Sequence, residues 1–282
     1  SLTRTLDAGW HTVTLEVTDP LAPATVATVV TNAVGLSPAT LHVVTENTNA
    51  CAPYATWETA ATNLHDALSL AWDGAIILVS NGTYRIPRQL IFDRGITMRS
   101  VGGRDVTTIQ APMTYSVRVA LLCHADARIE GFTLRDGRGG NGNPGGGVLI
   151  SVAGGTLFNC RVTANSGGSY DSVGGGVCLY GGRVSNCIID NNRLTIDSIQ
   201  GMGVYQTAGI LENCLIVTNK TYTLTQNGGG GVYLNGANAV VRNCTIVGNT
   251  AAYGGGIQRN SGTVQNCIIV DNITGLDTGP GA

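Results

Sequence analysis

The sequence predicts an all-β fold: a right-handed parallel β-helix with an N-terminal capping α-helix and a short N-terminal β-strand segment. Three observations carry this. Asn-Cys recurs at Asn159-Cys160, Asn186-Cys187, Asn213-Cys214, Asn243-Cys244 and Asn266-Cys267. Each copy keeps an apolar residue three before the Cys (Leu157, Val184, Leu211, Val241, Val264) and another two after it (Val162, Ile189, Ile216, Ile246, Ile269). Each also keeps an Asn five after it: Asn165, Asn192, Asn219, Asn249 and Asn272. A Gly-rich turn enters a strand ahead of every copy, as in Gly145-Gly146-Gly147-Val148 and Gly229-Gly230-Gly231-Val232. The Cys residues are spaced 27, 27, 30 and 23 residues apart, within the periods of roughly 20–50 residues that mark stacked repeat architectures.

Stacking explains each position. Strands of successive coils lie about 4.8 Å apart, so equivalent residues form ladders. The Asn ladder satisfies turn backbone and bonds side chain to side chain along the axis. The Gly runs supply positive φ at the corners. Insertions fall between the Asn and the next Gly run, where loops belong. Five of the eight cysteines (Cys160, Cys187, Cys214, Cys244, Cys267) sit at one repeat position. They read as buried free thiols; stacked disulfides are the alternative. A Cys51–Cys123 pair tying the N-terminal segment to an early coil is a separate possibility.

Less regular coils precede these. Ile129 to Leu134 aligns with Leu157 to Val162, with Phe132 in the place of Cys160. Ile76 to Val79, Ile96 to Val101, Val106 to Ile109 and Val117 to Leu122 read as short strands. Ala60, Leu64, Ala67, Leu68 and Ala71 form an apolar stripe. Their spacing predicts a helix over residues 56–72, capped by Thr56, covering the open end of the coil stack. Residues 47–282 thus form the β-helix. Residues 1–46 form a separate strand segment, with period-two alternation from His11 to Asp19 and further strands in Ala24 to Val34 and Ala39 to Val44. These strands are either the end of a truncated immunoglobulin-like domain or strands that pair with another surface.

Pro53 to Ala67, then Ile77 to Tyr84, Glu130 to Gly137 and the Asn-Cys coils, resemble secreted bacterial β-helix proteins of the pectin-lyase-like superfamily. The resemblance spans about residues 50 to 275. It implies the fold and an extracellular or cell-surface location. It leaves the activity open, because the superfamily holds lyases, hydrolases, adhesins and surface proteins. Leu6 to Asp19 resembles the end of a PKD or immunoglobulin-like module.

Composition narrows the function classes. Only 12% of residues are charged, the net charge is -2 and no basic cluster is present, which argues against a nucleic-acid partner. No apolar run reaches the roughly 18 residues of a membrane span. The start at Ser1 fits a processed secreted protein or a fragment of a longer one. The four histidines (His11, His42, His65, His124) share no metal-ligand spacing, and no Cys-x-x-Cys occurs. No metal or other cofactor is expected. The Gly runs lack the lysine of a phosphate-binding loop and recur in every coil.

Polysaccharide hydrolysis needs two carboxyls roughly 5–9.5 Å apart. Asp190 and Asp271 share the outer face but lie three coils apart, about 14 Å. Asp171 and Asp197 fall in loops, either as a close pair or as solvated acids. If Cys and the residue two after it point inward, the next residues point outward. Ile188, Leu215, Val217, Val247, Ile268 and Val270 then form an aliphatic outer face. Such a patch marks an interface, unless a loop or the N-terminal strands cover it. After Asn272 no helix or charged cap follows, so either the chain is cut or another molecule supplies the cap.

The sequence therefore favours a non-catalytic extracellular structural or adhesive protein that self-associates, as a homo-oligomer or filament subunit. The alternative is a polysaccharide lyase, glycoside hydrolase or carbohydrate-binding module, with extracellular polysaccharide as partner. A third reading is an inert fragment of a longer surface protein.

Overall fold

The computed structural model describes residues 10–19, 22–34, 39–112, 116–140, 144–167, 173–194, 200–221 and 228–275. The chain winds into a right-handed parallel β-helix. Each coil contributes one strand to each of three faces. Face A follows the Gly-rich turns and stacks Leu90–Phe92, Ala120–Leu122, Val148–Ile150 and Val177–Leu179. Face B stacks Ile76–Val79, Thr97–Ser100, Arg128–Glu130, Thr156–Phe158 and Arg183–Ser185. Face C runs from Gly82–Arg85 to Ile268–Val270 as an eight-stranded sheet. The pairings between coils are parallel, and on face C they run without a register shift.

From Val204–Glu212 onward, faces A and B merge. The strands Val204–Glu212, Val232–Arg242 and Ile257–Gln265 run through the corner with register shifts. Gln206 sits at such a shift. Its register neighbours Leu179 and Leu234 face the core, and Gln206 itself is fully buried. Its amide donates to the Gly209 carbonyl at 2.9 Å and the Val240 carbonyl at 3.2 Å, satisfying backbone that the irregular corner would orphan. A fourth sheet of two-residue strands, from Arg193–Leu194 to Ile273–Thr274, follows the Asn ladder.

The strand segments expected at 96–101, 106–109 and 117–122 appear as Thr97–Ser100, Thr107–Gln110 and Ala120–Leu122. The helix is shorter than the stripe suggested. It spans Leu64–Leu70, and Asn63, not Thr56, caps it by accepting from Asp66 N at 3.0 Å. Thr56 instead closes a local turn: its Oγ1 accepts from Thr59 N at 3.3 Å. The chain there is held extended, because Ala61 exchanges backbone bonds with His42 and Val44. Leu64, Ala67 and Leu68 are buried against the first coil, which is the covering role the stripe implied.

The N-terminal boundary also shifts. Thr40–Val43 pairs in parallel with Ile76–Val79, and Leu41 and Val43 are fully buried, so these residues belong to the solenoid rather than to a segment ending at 46. Trp10–Asp19 and Ala22–Val34 form a separate two-stranded antiparallel hairpin.

Candidate functional site

The interior ladders fix which side chains face out. The Asn ladder is continuous. Asn165, Asn192, Asn219 and Asn249 each donate from Nδ2 to the Oδ1 of the next Asn, at 2.9–3.1 Å. Each of those Oδ1 atoms also accepts the backbone N–H of the preceding Asn, at 3.0–3.1 Å. Every ladder Nδ2 reaches a carbonyl of the coil before, as Asn219 does to Ile189 at 2.9 Å. Gly137 starts the series by donating its N–H to Asn165 Oδ1 at 2.8 Å. All five Asn residues are buried, which makes complete pairing a condition of the fold.

The cysteines are free thiols, Cys51 and Cys123 included. Cys160, Cys187, Cys214 and Cys244 are buried and Cys267 is half-buried. Each donates its S–H to the carbonyl two residues before it, at 3.1–3.2 Å. Burial pushes the Cys160 and Cys214 thiols well above their ordinary value, whereas at Cys187 the hydrogen bond from Cys214 and backbone contacts outweigh burial, and at Cys244 the hydrogen bond from Cys214 holds the thiol down; the geometry of the row is that of packed core side chains. The residue before each Cys holds a left-handed backbone: Asn159, Asn186, Asn213, Asn243 and Asn266 have φ of 48–57°. Gly131 takes that place ahead of Phe132, with φ 78°. Asn tolerates this region where most side chains do not.

The aliphatic outer face is face C. Its outward rows run Arg161, Ile188, Leu215, Thr245, Ile268 and Thr163, Asp190, Val217, Val247, Val270, aligned by register. The inward row between them, Val162, Ile189, Ile216 and Ile246, is fully buried. Exposure of the outer rows is greatest in the last described coil, where the inward-row Ile269 is exposed as well. Ile188, Val217 and Val247 are half-buried, because side chains one strand step apart shield one another. Leu215, Ile268 and Val270 are exposed, Ile268 at 60%. The patch begins beyond Asp190, whose buried carboxylate takes Arg161 in a two-pronged pair at 2.9 and 2.7 Å. From there to Val270, no charged side chain interrupts the two rows.

Face B is the opposite in character. Glu212 is buried between Arg183 and Arg242, with Arg242 at 2.6 Å. Burial pushes the Glu212 carboxyl up, but the hydrogen bonds from Arg242 and Arg183 outweigh it and hold the group below its ordinary value. Glu130 accepts from Arg128 at 2.9 Å and pairs with Arg99 at 3.4 Å, while the Arg128 guanidinium lies 4.4 Å over the Phe158 ring. Glu130 and Glu212 stand three coils apart in one row, about 14 Å. That is too far for a hydrolytic pair. Asp171 and Asp197, the loop acids, lie outside the described residues.

Face A carries features that the sequence reading passed over. Tyr205 stacks on Tyr233 with centroids 5.5 Å apart, and Tyr180 meets Tyr205 edge-on at 6.2 Å. Both stacked tyrosines directly follow the Val after a Gly-rich turn, so the repeat register contained the signal. Cys178 is fully buried on the outward row of this face, its thiol pushed up to about 12 by desolvation. Arg118, also buried, donates to the Gly145 carbonyl at 3.3 Å.

The histidines within the description are separate. His42 contacts Trp57, His65 meets the Arg88 carbonyl at 3.1 Å, and His124 lies 4.0 Å from Asp126. Among the described residues no group of three potential ligands gathers to hold a metal ion, and no helix is long and apolar enough to cross a membrane.

A family profile described as "Right handed beta helix region" matches residues 146–281. No curated protein matches the sequence. Among solved structures, the chain is similar to pectin methylesterase PemA from Erwinia chrysanthemi, with 12% identity and a TM-score of 0.49 over 73% of this chain. The chain spans 65% of that esterase's length. It is similar to the pectin methylesterase from Aspergillus niger at 12% identity and a TM-score of 0.41, covering 82% of this chain and 84% of the other. It is also similar to pectate lyase Pel9A at 14% identity and a TM-score of 0.43, covering 86% and 81%.

Proposed function

We propose that this chain is a non-catalytic structural or adhesive β-helix of the extracellular space or cell surface, and that it self-associates through the aliphatic end of face C. The observation that carries the reading is the uncharged double row of Leu215, Thr245 and Ile268 beside Val217, Val247 and Val270. Such a row gains by leaving water, at roughly 25 cal/mol per Å² of apolar surface covered. A second copy presents the same flat, period-matched row, so ridges set by one 4.8 Å step meet grooves of the same step. Face B supports a structural role in another way. Its buried Glu212 is held ionised by Arg183 and Arg242, whereas a general acid needs a raised pKa and a nucleophile needs free access.

The test is the solution size of the full chain and of Val247→Asp, measured by light scattering after size exclusion. Val247 is half-buried on the surface, so an aspartate there leaves the core intact while placing a charge at the centre of the patch. The unmodified chain is expected to elute as an oligomer and the variant as a monomer. A unmodified chain that elutes as a monomer, or a variant of unchanged size, refutes the reading.

A further inference from the structure

Three exposed apolar side chains cluster around the first coils, at the opposite end of the stack from the aliphatic end of face C. Trp57 is 40% exposed, Val101 60% and Val106 50%. Trp57, Val101, Ser80 and Asn81 line an open cleft of about 340 Å³. That volume falls at the lower end of the roughly 300–1,000 Å³ typical of small-ligand sites. Val106 and Asn81 both lie against Gly102, where an added Cβ would meet Asn81 Oδ1 at 1.9 Å and Val106 Cγ2 at 2.7 Å. The cleft is therefore one apolar wall with an amide set into it.

The cleft is also held rigid. The Thr56–Thr59 turn fixes Trp57 through reciprocal backbone-to-hydroxyl bonds at 3.3 Å and an Ala60 N–H to Trp57 carbonyl bond at 3.4 Å. His42 meets the indole edge-on, with centroids 4.5 Å apart and planes at 68°. Ser80 is anchored by its Oγ, which donates to the Tyr84 hydroxyl at 3.0 Å, and the single Tyr84 hydroxyl proton points to the Ser80 carbonyl at 3.0 Å, with the Val43 carbonyl at 3.3 Å. Asn81 is exposed, and its amide takes no hydrogen-bond partner among the described residues.

We infer that this cleft binds one pyranose ring of a neutral glycan. A pyranose has an apolar C–H face and a rim of hydroxyls. The exposed indole offers a flat, rigid surface for the first, at little entropic cost. The Asn81 amide offers a donor and an acceptor for the second. No charged residue lines the cleft, so an acidic sugar gains no ion pair there, and an apolar peptide would leave the amide unpaired. The site is independent of the self-association through face C.

The test is calorimetric titration of the full chain with short neutral gluco-, galacto-, manno- and xylo-oligosaccharides, with an oligogalacturonide as the acidic arm. At least one neutral member is expected to bind with a millimolar-to-micromolar constant, insensitive to salt. Trp57→Ala weakens that binding by at least about tenfold and Trp57→Phe restores part of it. Asn81→Ala weakens it by about tenfold. Asn81→Ala removes an exposed side chain, so it carries the test even where Trp57→Ala fails to fold. Absence of binding by every neutral member overturns the inference. So does wild-type affinity in folded Trp57→Ala or in Asn81→Ala, tighter and salt-dependent binding of the acidic arm, or a change in self-association as the sole effect of the variants.

Discussion

Replacing Asn219 by Ala removes one rung from the middle of the Asn ladder. The side chain is fully buried and makes four bonds. Its Oδ1 accepts from the Asn192 backbone N–H at 3.1 Å and from Asn192 Nδ2 at 2.9 Å. Its Nδ2 donates to the Ile189 carbonyl and to Asn249 Oδ1, both at 2.9 Å. After truncation Asn249 Oδ1 keeps the Asn219 backbone N–H, and Asn192 Nδ2 keeps the Val162 carbonyl. The Asn192 backbone N–H loses its partner. One orphaned buried donor costs about 1–3 kcal/mol, and the three other lost bonds add about 1 each, giving a destabilisation of about 5 kcal/mol. For a chain of this size that lowers the unfolding midpoint by roughly 10 °C. Asn213 is the internal contrast. It is exposed at φ 53°, and its role is backbone geometry. Asn213→Ala is expected to cost only about 1 kcal/mol, and Asn213→Gly to be neutral or slightly stabilising. Thermal unfolding of the three variants, followed by circular dichroism, reads the order directly. An Asn219→Ala midpoint within a degree or two of Asn213→Ala refutes the view that the ladder satisfies buried backbone.

Three further outcomes follow from the same geometry. Glu212 has its carboxyl held below the ordinary glutamate value of 4.5 in the folded chain, so the folded state binds fewer protons there than the unfolded state does. Its contribution is present above about pH 4.5 and is lost as pH falls through the depressed value. Glu212→Gln should flatten that acid limb of stability, and an unchanged limb contradicts the assignment. Thiol titration with a bulky disulfide reagent should label Cys51 fast in the native protein and all eight cysteines after denaturation; rapid native labelling of Cys178 or Cys214 contradicts the packing. Incubation with polygalacturonate and its methyl ester is expected to release reducing ends, unsaturated products and methanol only at background, and turnover above background would favour the enzyme alternative.

The repeat was legible because a solenoid writes its geometry into sequence: each ladder position sees the same environment in every coil, so Leu157, Val162 and Asn165 recur as types. Burial of the Cys row followed from the same logic. Contacts that cross coils diagonally were not legible. Asp190 read as a lone outer acid, yet it is paired with Arg161 from the preceding coil, one row over. Glu212 likewise gathers arginines from the coils on both sides. The helix was overread because Ala60 and Leu64 sit at helical spacing while Ala61 is held in extended backbone by His42 and Val44, a tertiary constraint that local spacing cannot carry. Reading Trp57 as part of that helix concealed the cleft it lines. The aliphatic face was legible as a pattern, but the shielding of Ile188, Val217 and Val247 by their own neighbours was not.

The most direct test of self-association is sedimentation velocity of the full chain across about 1 to 100 micromolar, since assembly by mass action makes size depend on concentration. The account predicts a sedimentation coefficient that rises with concentration and collapses to one slow boundary when Val247→Asp is introduced. A single monomer boundary at every concentration for the unmodified chain would contradict it.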